Sequence, residues 1–308
     1  MKLSIVATLY RTASYIDEFH RRAADAAKSL TDDYEIVLVN DGSPDDSLAR
    51  ATSLAESDNH VVLIDLSRNF GHHKAMMTGL SYARGENIFL IDSDLEEEPE
   101  WLLSFSRQMD QNGCDVVYGV QERRKGERFE RWSGQWFYRF FRLITGIALP
   151  ENIVTARLMT RRYVDALLRH DEREVFLAGL WHITGFDQRP ANIRKRHSSE
   201  TTYTFRQKMS VLVNSVTSFS NAPLRAIFYC GISVSILAVI YSLYLIVNWM
   251  LFAKPLSGWT SVMASIWLLG GSIISFIGII GIYLSKIFSE TKRRPYTIVR
   301  QVYGKKQN

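Results

Sequence analysis

Asn87-Ile88-Phe89-Leu90-Ile91-Asp92-Ser93-Asp94 decides how the rest of the chain is read. A largely apolar run feeds straight into two carboxylates one residue apart. The run reads as a buried parallel strand. Open α/β sheets place ligands at the carboxyl ends of their strands, so Asp92 and Asp94 are expected to project together into a crevice. Two hard carboxylates there suit Mg²⁺ or Mn²⁺, ions that keep waters and take substrate phosphates as further ligands. Alone, an Asp-x-Asp reads more often as a surface turn, so its surroundings must decide.

Upstream, the pattern alternates. Leu3–Leu9 reads as a buried strand. Ala13–Leu30 carries Ile16, Phe19, Ala23, Ala27 and Leu30 at helical spacing. Tyr34–Val39 is a second strand ending in the turn cluster Asn40-Asp41-Gly42-Ser43-Pro44, after which Ser43 or Asp45 is placed to cap a helix running to about Ser57. Val61–Leu66 is a third strand, Gly71–Arg84 a helix, Trp101–Asn112 another, and Asp115–Val120 a further strand. Such alternation implies right-handed crossovers and a mostly parallel sheet. The turn clusters then put Thr8, Asp41, Asp92 and Asp94 along one sheet edge, as one site.

Downstream the texture changes. Between Gln121 and Leu149, Arg123, Arg124, Arg128 and Arg131 are interleaved with Trp132, Trp136, Phe137 and Phe140. That mixture suits an amphipathic helix lying in a membrane interface, the alternative being a helix packed on the sheet with a solvated basic face. Residues 226–252 and 262–288 are nearly free of charge. At about 27 residues each and roughly 1.5 Å per residue, both exceed the ~30 Å hydrocarbon core. The short loop Ala253–Ser261 makes them a hairpin with one cation, Lys254. The end of the chain carries Lys292, Arg293, Arg294, Arg300, Lys305 and Lys306. Positive-inside bias then puts both termini in the cytoplasm.

The net charge of +5 and a pI near 9.1 admit nucleic acid, anionic lipid or an anionic substrate as partner. The apolar segments favour the last two and argue against nucleic acid. Cys114 and Cys230 lie in unlike contexts, which speaks against a disulfide and fits a reducing cytosol. Met1-Lys2 followed by a short strand is no signal peptide. The histidines form no ligand triad for zinc. His72 and His73 read as polar first-turn residues of a helix, with contact to a diphosphate as the alternative. Gly270, Gly271, Gly278 and Gly281 permit close helix contact and hence a homo-oligomer.

Several segments together resemble a known family. They are Val39-Asn40-Asp41-Gly42-Ser43, Leu66-Ser67-Arg68-Asn69-Phe70-Gly71, Ile91-Asp92-Ser93-Asp94-Leu95, Val116-Val117-Tyr118-Gly119 and Thr217-Ser218-Phe219-Ser220-Asn221-Ala222-Pro223-Leu224-Arg225, followed by the hairpin. In order and spacing the chain is similar to family 2 glycosyltransferases of GT-A fold. More narrowly it resembles the polyprenyl-phosphate glycosyltransferases: bactoprenol glucosyltransferases that act in O-antigen modification of lipopolysaccharide, and dolichol-phosphate mannose synthases. The resemblance implies an α/β domain with a Rossmann-like sheet. Residues 1–120 would form the nucleotide-sugar-binding core and 121–225 the acceptor side with interfacial helices. Residues 226–288 would hold two transmembrane helices, and 289–308 a basic cytoplasmic tail.

It also implies an activity: inverting, metal-dependent transfer of a sugar from a nucleotide-sugar, usually UDP-linked, to undecaprenyl phosphate at the cytoplasmic face of the inner membrane. Thr8, Tyr10, Asp41, Arg68, Lys74, Asp92 and Ser93 would contact the donor. Asp92 and Asp94 would hold Mg²⁺ or Mn²⁺ and, with Arg157, serve catalysis. Arg124, Arg131 and Arg206 would bind the acceptor phosphate, since guanidinium forks meet phosphate oxygens bidentately. A lipid phosphate is already ionised at neutral pH, so no strong base is required. The chain departs from the family where relatives carry Asp-Phe-Arg, having Thr155-Ala156-Arg157, and where they carry a lysine, having Thr202. Two other readings stay open: a sugar-hydroxyl acceptor, with the base drawn from Glu96, Glu97 and Glu98, or an inactive nucleotide-sugar-binding membrane protein.

Overall fold

The computed structural model describes residues 1–121, 152–170, 172, 177–194, 217, 220–252 and 258–304. The basic-aromatic stretch that holds Arg124 and Arg131, the segment that holds Arg206 and Thr202, and Lys254 in the hairpin loop lie outside them. The chain divides into two compact units. The first is Met1–Tyr138, Ala148–Thr202 and Arg294–Asn308; the second is Arg139–Ile147 and Tyr203–Arg293.

The first unit is built on one eight-stranded mixed sheet in the order β7-β5-β6-β4-β1-β2-β3-β8. Its centre is parallel: β1 (Leu3–Leu9) pairs with β2 (Tyr34–Asn40) and with β4 (Asn87–Leu90), and β2 with β3 (Val61–Leu66). Every residue of β1 and β2 is buried, as expected of strands covered on both faces. Helices α1 (Ile16–Lys28), α2 (Ser47–Ser57), α3 (His72–Tyr82) and α4 (Trp101–Asn112) form the covering layers. In α1 the buried positions Ile16, Phe19, Ala23, Ala26 and Ala27 follow the 3.6-residue period. α4 packs Phe105 edge-on against Phe89 of β4, with ring centroids 6.0 Å apart, and ends at Gly113 in the left-handed conformation. These elements fall within a few residues of their expected bounds, the differences lying at frayed ends.

Four strands flank that centre. β5 (Val116–Gln121) was expected; β6 (Ile153–Thr160), β7 (Gln188–Ile193) and β8 (Val299–Gly304) were not. β6 runs antiparallel between β4 and β5, and β7 lies parallel to β5. Two short helices, α5 (Arg161–Leu167) and α6 (Leu177–Ile183), join β6 to β7. β8 lies antiparallel on β3 at the opposite edge, so part of what reads in sequence as a basic tail is an edge strand. Arg300 fastens it: one guanidinium nitrogen is 3.3 Å from Asp65 Oδ2, and another donates to the Ser67 carbonyl at 2.7 Å.

The second unit contains two long helices, α7 (Ala222–Phe252) and α8 (Trp259–Thr291). Tyr283 of α8 donates its hydroxyl to the Ser220 carbonyl at 2.7 Å, next to the start of α7. Leu268–Thr291 is the one helical segment among the described residues long and apolar enough to cross a membrane. Leu268 and Ile274 are 71% and 73% exposed, which water does not favour.

Candidate active site

The carboxyl ends of β4, β1 and β2 lie side by side, because those strands are neighbours and parallel. Asp92 follows β4, Thr8 ends β1 and Asp41 follows β2. The antiparallel β6 brings a fourth group. Leu90 pairs with Arg157, and the same register continued by two residues sets Asp92 opposite Thr155. The Thr155 hydroxyl donates to Asp92 Oδ2 at 2.9 Å. On its other flank, His72 Nε2 stands 3.2 Å from Asp92 Oδ1, and His72 Nδ1 is 3.0 Å from the Thr8 hydroxyl. His72 therefore links the ends of two strands across the crevice.

This arrangement sets the charge on His72. Burial opposes protonation, but the hydrogen bond to Asp92 and that carboxylate's charge outweigh it and raise the pKa above the ordinary histidine value. Asp92 and Asp94 are half-buried. Asp94 Oδ1 accepts the N–H of Glu96 at 3.0 Å across a tight turn, in which Leu95 takes φ 61°. Glu97 points inward: it is 1% exposed and accepts the N–H of Thr155 at 3.0 Å.

Asp41 has a distinct task. Its two carboxylate oxygens accept the N–H groups of Phe70 (2.7 Å) and Gly71 (3.1 Å), which shapes the loop into α3. Burial raises its pKa, against the pull of those two hydrogen bonds. Gly42 follows at φ +58°, where an added Cβ would lie 2.5 Å from the backbone of Arg68 and Asn69. Only glycine lets these two loops approach so closely. Arg68 is exposed and stacks on the Phe70 ring, 4.0 Å from its centroid. Lys74 sits half-buried in the first turn of α3, and Tyr10 is exposed beyond β1. Ser93 is buried and donates to the Thr8 carbonyl at 2.7 Å, binding the β4 exit to β1. Asp45 gathers the neighbouring loops. It accepts from the N–H groups of Ala13 and Ser47 and from the Ser43 and Ser47 hydroxyls, and these bonds overcome burial to bring its pKa down to about 2.

Arg157 lies deeper than a crevice residue. It is 1% exposed, its Nε donates to the Thr155 carbonyl at 3.2 Å, and its guanidinium stacks on the Trp181 indole. Thus Thr8, His72, Asp92, Ser93 and Thr155 are connected directly, with Asp41 and Asp45 shaping adjoining loops. His72 as a bridge, Thr155 as a partner of Asp92 and Glu97 as a support were not assigned these roles from sequence. The pairing of β6 with β4 is the missing information.

Two half-buried carboxylates at one strand exit are hard oxygen donors. With diphosphate oxygens and water completing the shell, they fit Mg²⁺ or Mn²⁺. Among the described residues no cluster of three or more His, Cys, Asp or Glu forms an all-protein cage.

The family model described as Glycosyl transferase family 2 matches residues 4–168, just over half of the chain. A provisionally named glycosyltransferase of Mycobacterium tuberculosis is 51% identical over 304 residues, 99% of this chain and 89% of that protein. An uncharacterized glycosyltransferase of Bacillus subtilis is 33% identical, over 99% of this chain and 95% of its own length. A prophage bactoprenol glucosyl transferase homolog of Escherichia coli K12 is 31% identical, over 98% of this chain and 99% of its own length.

Proposed function

The chain belongs to glycosyl transferase family 2, and from that premise we propose that it moves a sugar from a nucleotide-sugar, UDP-linked in our reading, to a polyprenyl phosphate at the cytoplasmic face of a membrane. The observation that carries this reading is the end-to-end similarity to bactoprenol glucosyl transferases, which takes in both long C-terminal helices. In this reading α7 and α8 form a two-helix membrane hairpin, and the segments with Arg124, Arg131 and Arg206 meet the lipid headgroup.

A phosphate oxygen of the acceptor attacks the anomeric carbon from the face opposite the leaving group. The new carbon–oxygen bond forms as the bond from that carbon to the donor diphosphate breaks, inverting the configuration. The nucleoside diphosphate leaves as an anion, and no proton need be removed from the nucleophile. Thr155 sets a hydroxyl, not a carboxylate, beside Asp92, and this suits an acceptor that arrives ionised. Glu97 is engaged by the Thr155 backbone, which disfavours a sugar-hydroxyl acceptor with Glu97 as base. Asp92 and Asp94 would hold Mg²⁺ or Mn²⁺, which when bound neutralises charge on the leaving diphosphate. His72 and Thr155 orient Asp92 from its two sides. Tyr10, Arg68 and Lys74 line the approach of the donor.

The test is transfer by the full-length protein in detergent with Mn²⁺, undecaprenyl phosphate and a panel of radiolabelled nucleotide-sugars. An acid-labile lipid-linked sugar is expected. An acid-stable sugar–sugar product, or donor binding with no transfer from a folded protein, overturns the reading.

A further inference from the structure

Two loops of the candidate site are held from outside by the last strand of the chain. β8 covers the edge of β3, and its ladder is irregular. Gln301 stands opposite Asp65 and Val299 opposite Leu66, so Arg300 is an extra residue that the pairing skips. Bulges of this kind re-aim a side chain and are common beside active sites. This one lies where β3 gives way to the loop that carries Arg68 and Phe70.

Three attachments run inward from this end of β8. Ser67 is gripped at both of its backbone groups: its N–H donates to the Ile298 carbonyl at 2.9 Å, and its carbonyl accepts from Arg300 at 2.7 Å. Arg68 follows directly. A second guanidinium nitrogen of Arg300 is 3.3 Å from Asp65 Oδ2, a buried oxygen with no hydrogen bond among the described residues. The other Asp65 oxygen accepts the Asn40 amide at 2.8 Å, and Asn40 Oδ1 accepts the Ser43 N–H at 3.3 Å, closing the turn around Asp41 and Gly42. Finally, the Thr297 hydroxyl is 2.8 Å from that of Thr78, which is buried in α3. Thr78 donates to the Lys74 carbonyl at 2.9 Å, so Thr297 supplies the proton of the contact between the two hydroxyls.

The Arg300 side chain is 56% exposed, so solvent screens its charge and its attraction to Asp65 alone is weak. The positional effect comes from the bulge and the hydrogen bond to Ser67. A loop already held in its binding conformation loses less freedom when a ligand arrives, and affinity rises accordingly. The three routes end beside Arg68, Asp41 and Lys74. None of the three leads to Asp92, Asp94 or Thr155, where bonds would change.

We propose that Arg300 and Thr297 are positioning residues for the nucleotide-sugar: from β8 they set the Ser67–Gly71 loop, the Asn40–Ser43 turn and the first turn of α3. They thereby set donor affinity without entering the bond-changing step. The inference rests on the transferase reading and deepens it.

The experiment is calorimetric titration of the full-length protein in detergent and excess Mn²⁺ with UDP, with GDP and dTDP in parallel. Steady-state transfer follows, with the nucleotide-sugar that the donor panel identifies. Arg300→Ala and Thr297→Val are each expected to weaken nucleotide binding about fivefold, the scale of one hydrogen bond, and to raise the donor KM alike with kcat unchanged. Arg300→Lys is expected to recover part of the affinity. Gly304→Ala is the control: its Cβ would lie 2.3 Å from the Val61 carbonyl at the far end of the strand, which loosens β8 away from the loops. It should lower the melting temperature and leave nucleotide affinity unchanged. Thermal unfolding verifies that each variant is folded. Folded Arg300→Ala and Thr297→Val proteins that bind as wild type overturn the proposal. So does an equal loss in Gly304→Ala, which would make β8 a support for the sheet alone. The expected pattern of binding without any sugar transfer upholds the positioning role and counts against the proposed reaction. A wild type that binds none of the three nucleotides overturns both.

Discussion

His72 Nε2 lies 3.2 Å from Asp92 Oδ1: the two residues stand at the start of α3 and just past the end of β4, the helix and strand of one crossover unit that spans β2 and β1. The contact holds one oxygen of Asp92 while the Thr155 hydroxyl holds the other. Groups that orient a metal ligand from behind typically carry about a 10–100-fold effect on metal affinity or activity. His72→Ala should therefore raise the Mn²⁺ concentration for half-maximal activity about tenfold, with activity restored by excess Mn²⁺. A metal-titration curve of initial rates checks this.

Asp94, the second proposed ligand, accepts the Glu96 N–H through Oδ1. Asp94→Asn keeps that acceptor and removes the charge. Turnover should drop about 10²–10³-fold, the range for losing a major electrostatic contribution at a reacting centre. The melting temperature should stay close to wild type, separating lost chemistry from lost fold.

Asp45 supplies the pH dependence. Its folded-state pKa of about 2 lies below the ordinary carboxylate value, so its stabilising effect is complete above about pH 4. It is lost as pH falls through the folded value. Urea unfolding at pH 7 should show Asp45→Asn less stable than wild type, and the gap should close as pH falls toward 2.

Gly42 admits no side chain. An alanine there takes φ +58° and drives its Cβ into the backbone of Arg68 and Asn69. Gly42→Ala should cost about 1–3 kcal/mol. Because the displaced loop carries Arg68 and donates its Phe70 and Gly71 N–H groups to Asp41, the donor KM should rise as well. Urea titration and steady-state kinetics measure the two effects.

Arg300→Ala probes the far edge of the sheet. Asp65 is 1% exposed, and its other oxygen already accepts the Asn40 amide at 2.8 Å. Loss of the guanidinium strands a buried carboxylate oxygen, at about 1–3 kcal/mol. The double variant Arg300→Ala/Asp65→Asn should recover part of that loss, since the uncompensated charge is gone.

The centre of the sheet was legible because its strands are buried on both faces and write themselves as apolar runs, as in Ile36–Val39 and Ile88–Ile91. The flanks were not. β7 reads Gln-Arg-Pro-Ala-Asn-Ile, with polar residues and a proline, and its position next to β5 is a tertiary fact without a local pattern. β8 lies beyond two long apolar helices, where charge density points to a tail rather than a strand. At the site, Asp92, Asp94, Thr8 and Asp41 were recognisable from their place after apolar runs. His72 was read chiefly as a first-turn residue, since nothing near it in sequence reveals that β1 brings Asp92 within reach. Arg157 was picked out by its motif, while its depth depends on Trp181, twenty-four residues away in the chain.

β8 makes the two apolar helices an excursion rather than an appendage: the polypeptide leaves the sheet, runs through α7 and α8, and comes home to the edge of β3. A water-soluble fragment made by stopping before α7 would strip that edge, leaving the β3 ladder bare and prone to pair with other molecules. Internal excision of residues 203–293, with a flexible polar linker in their place, keeps the final strand in cis.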